Sequence, residues 1–280
     1  MKNIYLIVST VLFVALSMFS CRPKENVSAE NGIQFDTIHT VKNYHINNDS
    51  TQPSCNLKLS FAYPAESSDK ATLDSLQRIF ISCFFDNTYM GLTPQEAVKS
   101  YENNYIESYK EDFRIFSQDR NEHDNTATYS SYYEIDNNEI IFNKAGIISF
   151  LITKTNYKGG ASSFDFLKNY TIDLRTLQLI DEDDLFNEGY EKALNTVFRN
   201  YLLKSKNAKS LAELENIGYF GLDEMVPNGN FTLDDKGITY IFNKGEYSSL
   251  KTDPIKIFIS YNDIAPLIRD DSPVFKFISM

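Results

Sequence analysis

The sequence predicts an α+β protein of two modules, each a mainly antiparallel sheet with helices packed on one face. Three observations predict it. Apolar residues alternate through Cys55, Leu57, Leu59 and Phe61, which is the period of a half-buried strand. They recur at three-and-four spacing through Leu73, Leu76, Phe80, Cys83 and Phe84, and again through Val98, Tyr101, Tyr105 and Tyr109. From residue 126 onward, short strand-like runs follow one another with turns between them.

The chain opens with Lys2, an apolar run from Ile4 to Phe19, and Ser20 directly before Cys21. That is the layout of a signal peptide over residues 1–20, and the run is shorter than the ~20 residues a spanning helix needs. The Ser20-Cys21 junction resembles the lipobox of bacterial lipoproteins, whose cysteine is acylated and becomes the new N-terminus. The resemblance implies export, lipidation at Cys21 and anchoring to the cell envelope, at the outer membrane or cell surface. A plain secretory signal with an incidental Cys21 is the alternative.

Removing residues 1–20 takes away Lys2 and no acid, so the formal charge passes from −11 to −12. Such a surface repels nucleic acid and anionic lipid, keeps an exported domain soluble and attracts basic partners. Residues 21–50 are polar and weakly periodic and read as a tether. An N-terminal α+β module then spans 51–160 and a C-terminal one 161–280.

Within the first module, a strand at 55–61 leads to a helix from about Asp69. Thr93-Pro94-Gln95-Glu96 starts a second helix, with an N-cap, a proline at the first helical position and a glutamate placed for a capping box. Its tyrosine stripe could stack on sugars, but at this spacing it reads as core. A charged loop at 118–125 precedes strands at 126–135, 140–143, 147–157 and 164–172, separated by Asp-Asn-Asn, Lys-Ala-Gly and Lys-Gly-Gly turns. A short strand at 177–180 and the acidic run at 181–184 lead to a helix carrying Leu194, Val197, Phe198, Tyr201 and Leu202. Strands at 231–233, 238–242 and 255–260 close the chain. Cys55 and Cys83 both lie on apolar faces, so in an oxidising compartment they either form a disulfide or pack as free thiols.

Tyr157-Lys158-Gly159-Gly160-Ala161, Tyr170-Thr171-Ile172-Asp173-Leu174, Asp184-Leu185-Phe186, Phe231-Thr232-Leu233, Lys236-Gly237-Ile238 and Ile257-Phe258-Ile259-Ser260-Tyr261-Asn262-Asp263-Ile264 together resemble a known pair of envelope domains. These are the paired domains of unknown function in the ectodomain of RsiV-type anti-sigma factors, which sense lysozyme, and in the non-catalytic region of PdaC-type peptidoglycan deacetylases. The similarity runs from about Cys55 to Ile268. It implies an α+β module followed by one likened to a subdomain of actin-like ATPases, and a ligand-binding ectodomain. The hairpin of Tyr157, Gly159, Gly160 and Ser162 is its candidate binding element, although Ser162 stands where the family usually carries histidine.

Catalytic motifs are not found. His39, His45 and His123 fit no metal pattern, and no nucleophile elbow or phosphate-cradling loop occurs. Asp181, Asp183 and Asp184 lack the calcium-loop pattern with its closing glutamate. Neither a cofactor nor a metal is expected. The expectation is a membrane-anchored envelope lipoprotein whose non-catalytic ectodomain binds peptidoglycan, another glycan or a basic protein such as lysozyme. The alternative is a carboxylate-dependent hydrolase of envelope glycans, because the approach of two acids is set by the fold.

Overall fold

The structure, a computed structural model, describes residues 29–118, 131–159 and 163–278. Two strands open it: β1 (Gln34–His45) and β2 (Ser54–Glu66). Helices α1 (Lys70–Phe84) and α2 (Pro94–Gln118) follow, and then the strands β3 (Tyr132–Lys144), β4 (Ile147–Tyr157), β5 (Phe164–Asp173) and β6 (Gln178–Leu179). All six strands form one sheet in sequence order. Only β2 and β3 run parallel, because the two helices carry the chain back to the end from which β2 started.

Local chemistry sets both helices. The Asp69 carboxylate accepts from Thr72 N at 2.7 Å to cap α1. The expected capping box starts α2: Thr93 N donates to Glu96 Oε2 at 3.0 Å, and Glu96 N donates to Thr93 Oγ1 at 3.3 Å. Leu76, Phe80 and Phe84 of α1 and Val98, Tyr105 and Tyr109 of α2 then bury themselves against Leu57, Leu59, Phe61 and Phe150 of the sheet. Phe80 stacks on Phe150 with centroids 4.2 Å apart.

Three expectations are corrected. Residues 34–45, assigned to the tether, form β1 and pair along their whole length with β2. None of them is buried, as suits an edge strand, and so their polarity hid them. Asp136, Asn137 and Asn138 are not a turn but the middle of β3, because inward partners hold them extended: Asn138 bonds the backbone of Ala62, taking its N–H at 2.7 Å and giving to its carbonyl at 2.8 Å. Finally, β5 lies beyond residue 160 yet pairs with β4 from Ile147↔Asp173 to Asn156↔Phe164, so the first sheet ends at Leu179.

The second module holds α3 (Glu191–Ser205), α4 (Leu211–Asn216), and a three-stranded sheet of β7 (Phe231–Leu233), β8 (Gly237–Phe242) and β9 (Ile255–Ser260), with the short α5 (Tyr261–Ile264) after it. Leu194, Phe198 and Leu202 of α3 pack on Tyr240 and Phe242. Gly237 is required by close approach, since a Cβ there would lie 2.1 Å from the carbonyl oxygen of Ile259. The modules join where β7 and β8 meet β4 and β5. Ser149 Oγ donates to Leu233 O at 2.7 Å and accepts from Leu233 N at 3.1 Å, while Asn243 and Asn230 bond the backbone of Leu167 and Asn169.

Cys55 and Cys83 are free cysteines. Cys55 sits on β2 within electrostatic reach of Lys110 of α2, and Cys83 lies within reach of Lys168 of β5. Burial pushes their thiols up to about 11 and about 12 respectively.

Removing the Asn138 amide leaves two buried backbone groups of Ala62 unbonded. Asn138→Ala should therefore lower unfolding stability by about 2 kcal/mol in urea titration, with the folded spectrum unchanged. A loss below a few tenths of a kcal/mol would show that water replaces the amide.

Candidate functional site

The first sheet has two unlike faces, and β3 divides them. From Tyr132 to Ile140 its even-numbered residues face the helices and its odd-numbered ones face outward, and a bulge between Ile140 and Phe142 then turns Phe142 toward the second module. In β3 the usual polarity is inverted: Glu134 and Asp136 are 6% and 1% exposed beneath the helices, whereas Ile135 is 42% exposed on the outside.

The buried side is a closed ionic cluster. Tyr101 of α2 donates its hydroxyl to Glu134. Asp136 meets Lys154 Nζ at 3.1 Å, and the same ammonium donates to Phe84 O at 2.7 Å. Burial, opposed by Lys154 and reinforced by Glu134, raises the Asp136 carboxyl from its ordinary value to about 7. Burial and Glu134 also hold the Tyr101 hydroxyl protonated far above its usual range. The two carboxylates sit two residues apart on one strand under two helices, and do not face each other across a cleft.

Among the described residues, nothing covers the outer face over β1, β2, β3 and the end of β4. Strand register builds rows across it. One row runs Asn43, Asn56, Tyr133, Tyr157; the next runs Val41, Lys58, Ile135, Thr155. The rings of Tyr133 and Tyr157 stack with centroids 5.7 Å apart and planes 18° apart. Beside them Thr155 Oγ1 donates to Asp165 Oδ1 at 3.0 Å, and Lys244 of the second module reaches Asp165 at 3.7 Å. The amides of Asn43 and Asn56, the ammoniums of Lys58 and Lys244 and the Asp165 carboxylate thus surround the Tyr133–Tyr157 pair. Such a surface offers rings for stacking and groups for hydroxyl recognition.

Tyr157, singled out in the sequence, belongs to this row, and Gly159 follows it with φ of +83° at the start of the hairpin. Gly160, Ser162, Cys21 and His123 lie outside the described residues. Asn43, Asn56 and Tyr133 were missed, because only the register brings them beside Tyr157. The acidic run bonds itself: Asp181 Oδ1 accepts from Asp183 N at 3.0 Å and from Asp184 N at 3.2 Å. A polar cavity of about 120 Å³ opens beside it, lined by Asp173, Arg175, Asp184, Arg269 and Asp271. Its guanidiniums are already engaged, Arg175 with Asp173 at 3.1 Å and Arg269 with Asp271 at 2.9 Å. Among the described residues no group of three or more His, Cys, Asp or Glu is gathered to hold a metal ion, and no helix is long and apolar enough to cross a membrane.

Residues 183–262, which cover most of the second module, match the family described as a protein of unknown function, DUF3298. The crystal structure of a member of that family from Bacteroides fragilis is 27% identical, covering 90% of this chain and 100% of its own, with a TM-score of 0.84. A DUF3298 family protein from Pseudomonas aeruginosa is 10% identical, covering 86% of this chain and 97% of its own at a TM-score of 0.61, which is a likeness of fold alone. No curated protein matches.

Asp136 gives a pH test of the buried cluster. Its carboxyl titrates near 7 folded against an ordinary ~3.9 unfolded, so the folded chain holds the proton that the unfolded chain has released. The stability this contributes is fully present below the unfolded value and is lost as pH rises from about 4 through about 7. Asp136→Asn cannot titrate, so its urea midpoint should gain on the wild type steadily over that range. Parallel curves for the two proteins would refute the burial of this carboxyl.

Proposed function

We propose that this protein is a lipid-anchored envelope protein whose non-catalytic ectodomain binds glycan on the open outer face of its first sheet. The row of Asn43, Asn56, Tyr133 and Tyr157 carries this reading, since sugar rings pack their C–H faces on aromatic rings while amides answer their hydroxyls. Envelope location rests on the Lys2, apolar run and Ser20-Cys21 pattern. The relationship to RsiV-type and PdaC-type ectodomains belongs to the same reading, peptidoglycan being the glycan their compartment offers. Hydrolysis by Glu134 and Asp136 is disfavoured because both lie on the helix side of the sheet, 6% and 1% exposed, with Lys154 and Tyr101 already on them.

A basic protein such as lysozyme is the second reading, favoured by the formal charge of −11. Salt separates the two. Calorimetry with soluble peptidoglycan fragments should show binding that barely changes between low and physiological salt and weakens about tenfold in Tyr133→Ala and Tyr157→Ala. Steep salt dependence with lysozyme and indifference to both tyrosines would select the protein ligand instead. Separately, a palmitate analogue should label the wild type, and Cys21→Ala should abolish both label and membrane retention. An unlabelled but still membrane-bound wild type would defeat the anchor.

A further inference from the structure

The first sheet has two edges, and they are treated differently. One ends in β6, two residues long, and is completed upstream by Asn230 and Asn243 of the second module on the backbone of Leu167 and Asn169. The other edge is β1, twelve residues long, without proline, and irregular only between Gln34 and Phe35. Among the described residues its backbone ladder is with β2 alone. An edge of that length with no bulge at its centre is a template for another strand.

The sequence of β1 is complementary to itself. In an antiparallel pair, residues directly opposite each other either both point their N–H and C=O at the partner strand or both point them away. Orientation alternates along a strand, so in a symmetric pair of identical strands the two opposed residues must be an even number of positions apart. One such register puts Asp36 opposite Lys42, Thr37 opposite Val41, Ile38 opposite Thr40, and His39 opposite itself. The three pairs nearest the axis are then opposite in charge or β-branched, and each occurs twice, with the Lys42 ammonium also meeting Glu102 Oε2 of its own chain at 3.4 Å. Val41, 71% exposed in the single chain, gains a neighbour there. Moving the axis by one residue sets Lys42 against Ile38 or Asp36 against Thr40 and loses both charge pairs.

We propose that β1 pairs antiparallel with β1 of a second copy of this chain, about a two-fold axis through His39, joining two six-stranded sheets edge to edge. The net charge of −11 on each copy opposes the association, so it is concentration-dependent and is strengthened where copies are held together. The pairing uses backbone groups along the edge of β1, while Tyr133 and Tyr157 of the glycan row lie on β3 and β4 and only Asn43 of that row lies on β1.

Cysteine placement reads the register directly. On the axis, two copies of residue 39 have Cα atoms roughly 4.5–5.5 Å apart, within disulfide range. Under mild oxidation His39→Cys in the full chain should form a covalent dimer, whereas Asn43→Cys, which faces Phe35, should remain largely monomeric. Adding Asp36→Lys to His39→Cys sets like charges opposite each other twice and should slow dimer formation about tenfold. Sedimentation of the wild type should show mass rising with concentration. Absence of a covalent dimer at position 39, equal cross-linking at 39 and 43, indifference to Asp36→Lys, or a single monomeric species at the highest concentration reached would each overturn the proposal.

Discussion

The first sheet has more backbone donors and acceptors than its strands can pair, and asparagine side chains make up the difference. A primary amide carries the same N–H and C=O as a peptide unit, so it can stand in for a missing strand residue. Asn138 does this for Ala62 where the β2–β3 ladder stops. Asn243 does it for Leu167, both as acceptor and as donor, and Asn230 bonds Asn169 N and Leu167 O. Near the start of the described chain, Asn31 accepts from Gly146 N and donates to Ile147 O, tying that segment to the β3–β4 turn. Each such group left buried and unbonded would cost about 1–3 kcal/mol, so these amides hold the geometry that the rest of the fold assumes. They also join the modules: the second sheet packs on β5 through Asn230 and Asn243 and on β4 through Ser149 and Leu233.

That constraint explains what the sequence made legible. The capping box at Thr93, the stripe of Leu76, Phe80 and Phe84, and the alternation from Cys55 to Phe61 are local patterns, and local patterns survive folding when the buried side is apolar. Asp136-Asn137-Asn138 reads as a turn because those residue types favour turns when their side chains bond their own backbone. Here Asp136 and Asn138 bond neighbouring strands instead, Lys154 of β4 and Ala62 of β2, and only the fold supplies those partners. β1 escaped for a different reason. An edge strand buries one neighbour and half of one face, so its apolar content falls to that of a linker. The two-module architecture was legible, but its seam was misplaced, because a glycine-rich turn marks a change of direction whether or not a module ends there.

Of the candidate site, one residue in four was legible. Tyr157 stood out beside Gly159 and Gly160, but Asn43, Asn56 and Tyr133 come from three other parts of the chain. Their row exists because β2 and β3 are parallel with Asn56 opposite Tyr133, a register that the two intervening helices make possible. No periodicity in the sequence reports a parallel register across a gap of more than seventy residues.

The inverted polarity of β3 links structure to function. A strand between two helices and solvent would ordinarily bury Ile135 and Tyr133 and expose Glu134 and Asp136. This one does the reverse, and places a carboxyl with a raised affinity for protons where desolvation is worst. Lys154 and Tyr101 offset part of that cost, which keeps the cluster intact but leaves its carboxylates committed to partners inside the fold. The same alternation obliges Tyr133 and Ile135 to stand on the open face, since a strand cannot turn one residue inward without turning its neighbour outward. The helix side of the sheet therefore carries the acids buried, and the outer side carries the rings and amides half-buried or exposed among the described residues. A ligand on the outer face would be separated from Glu134 and Asp136 by the sheet itself, so those two acids could not reach it.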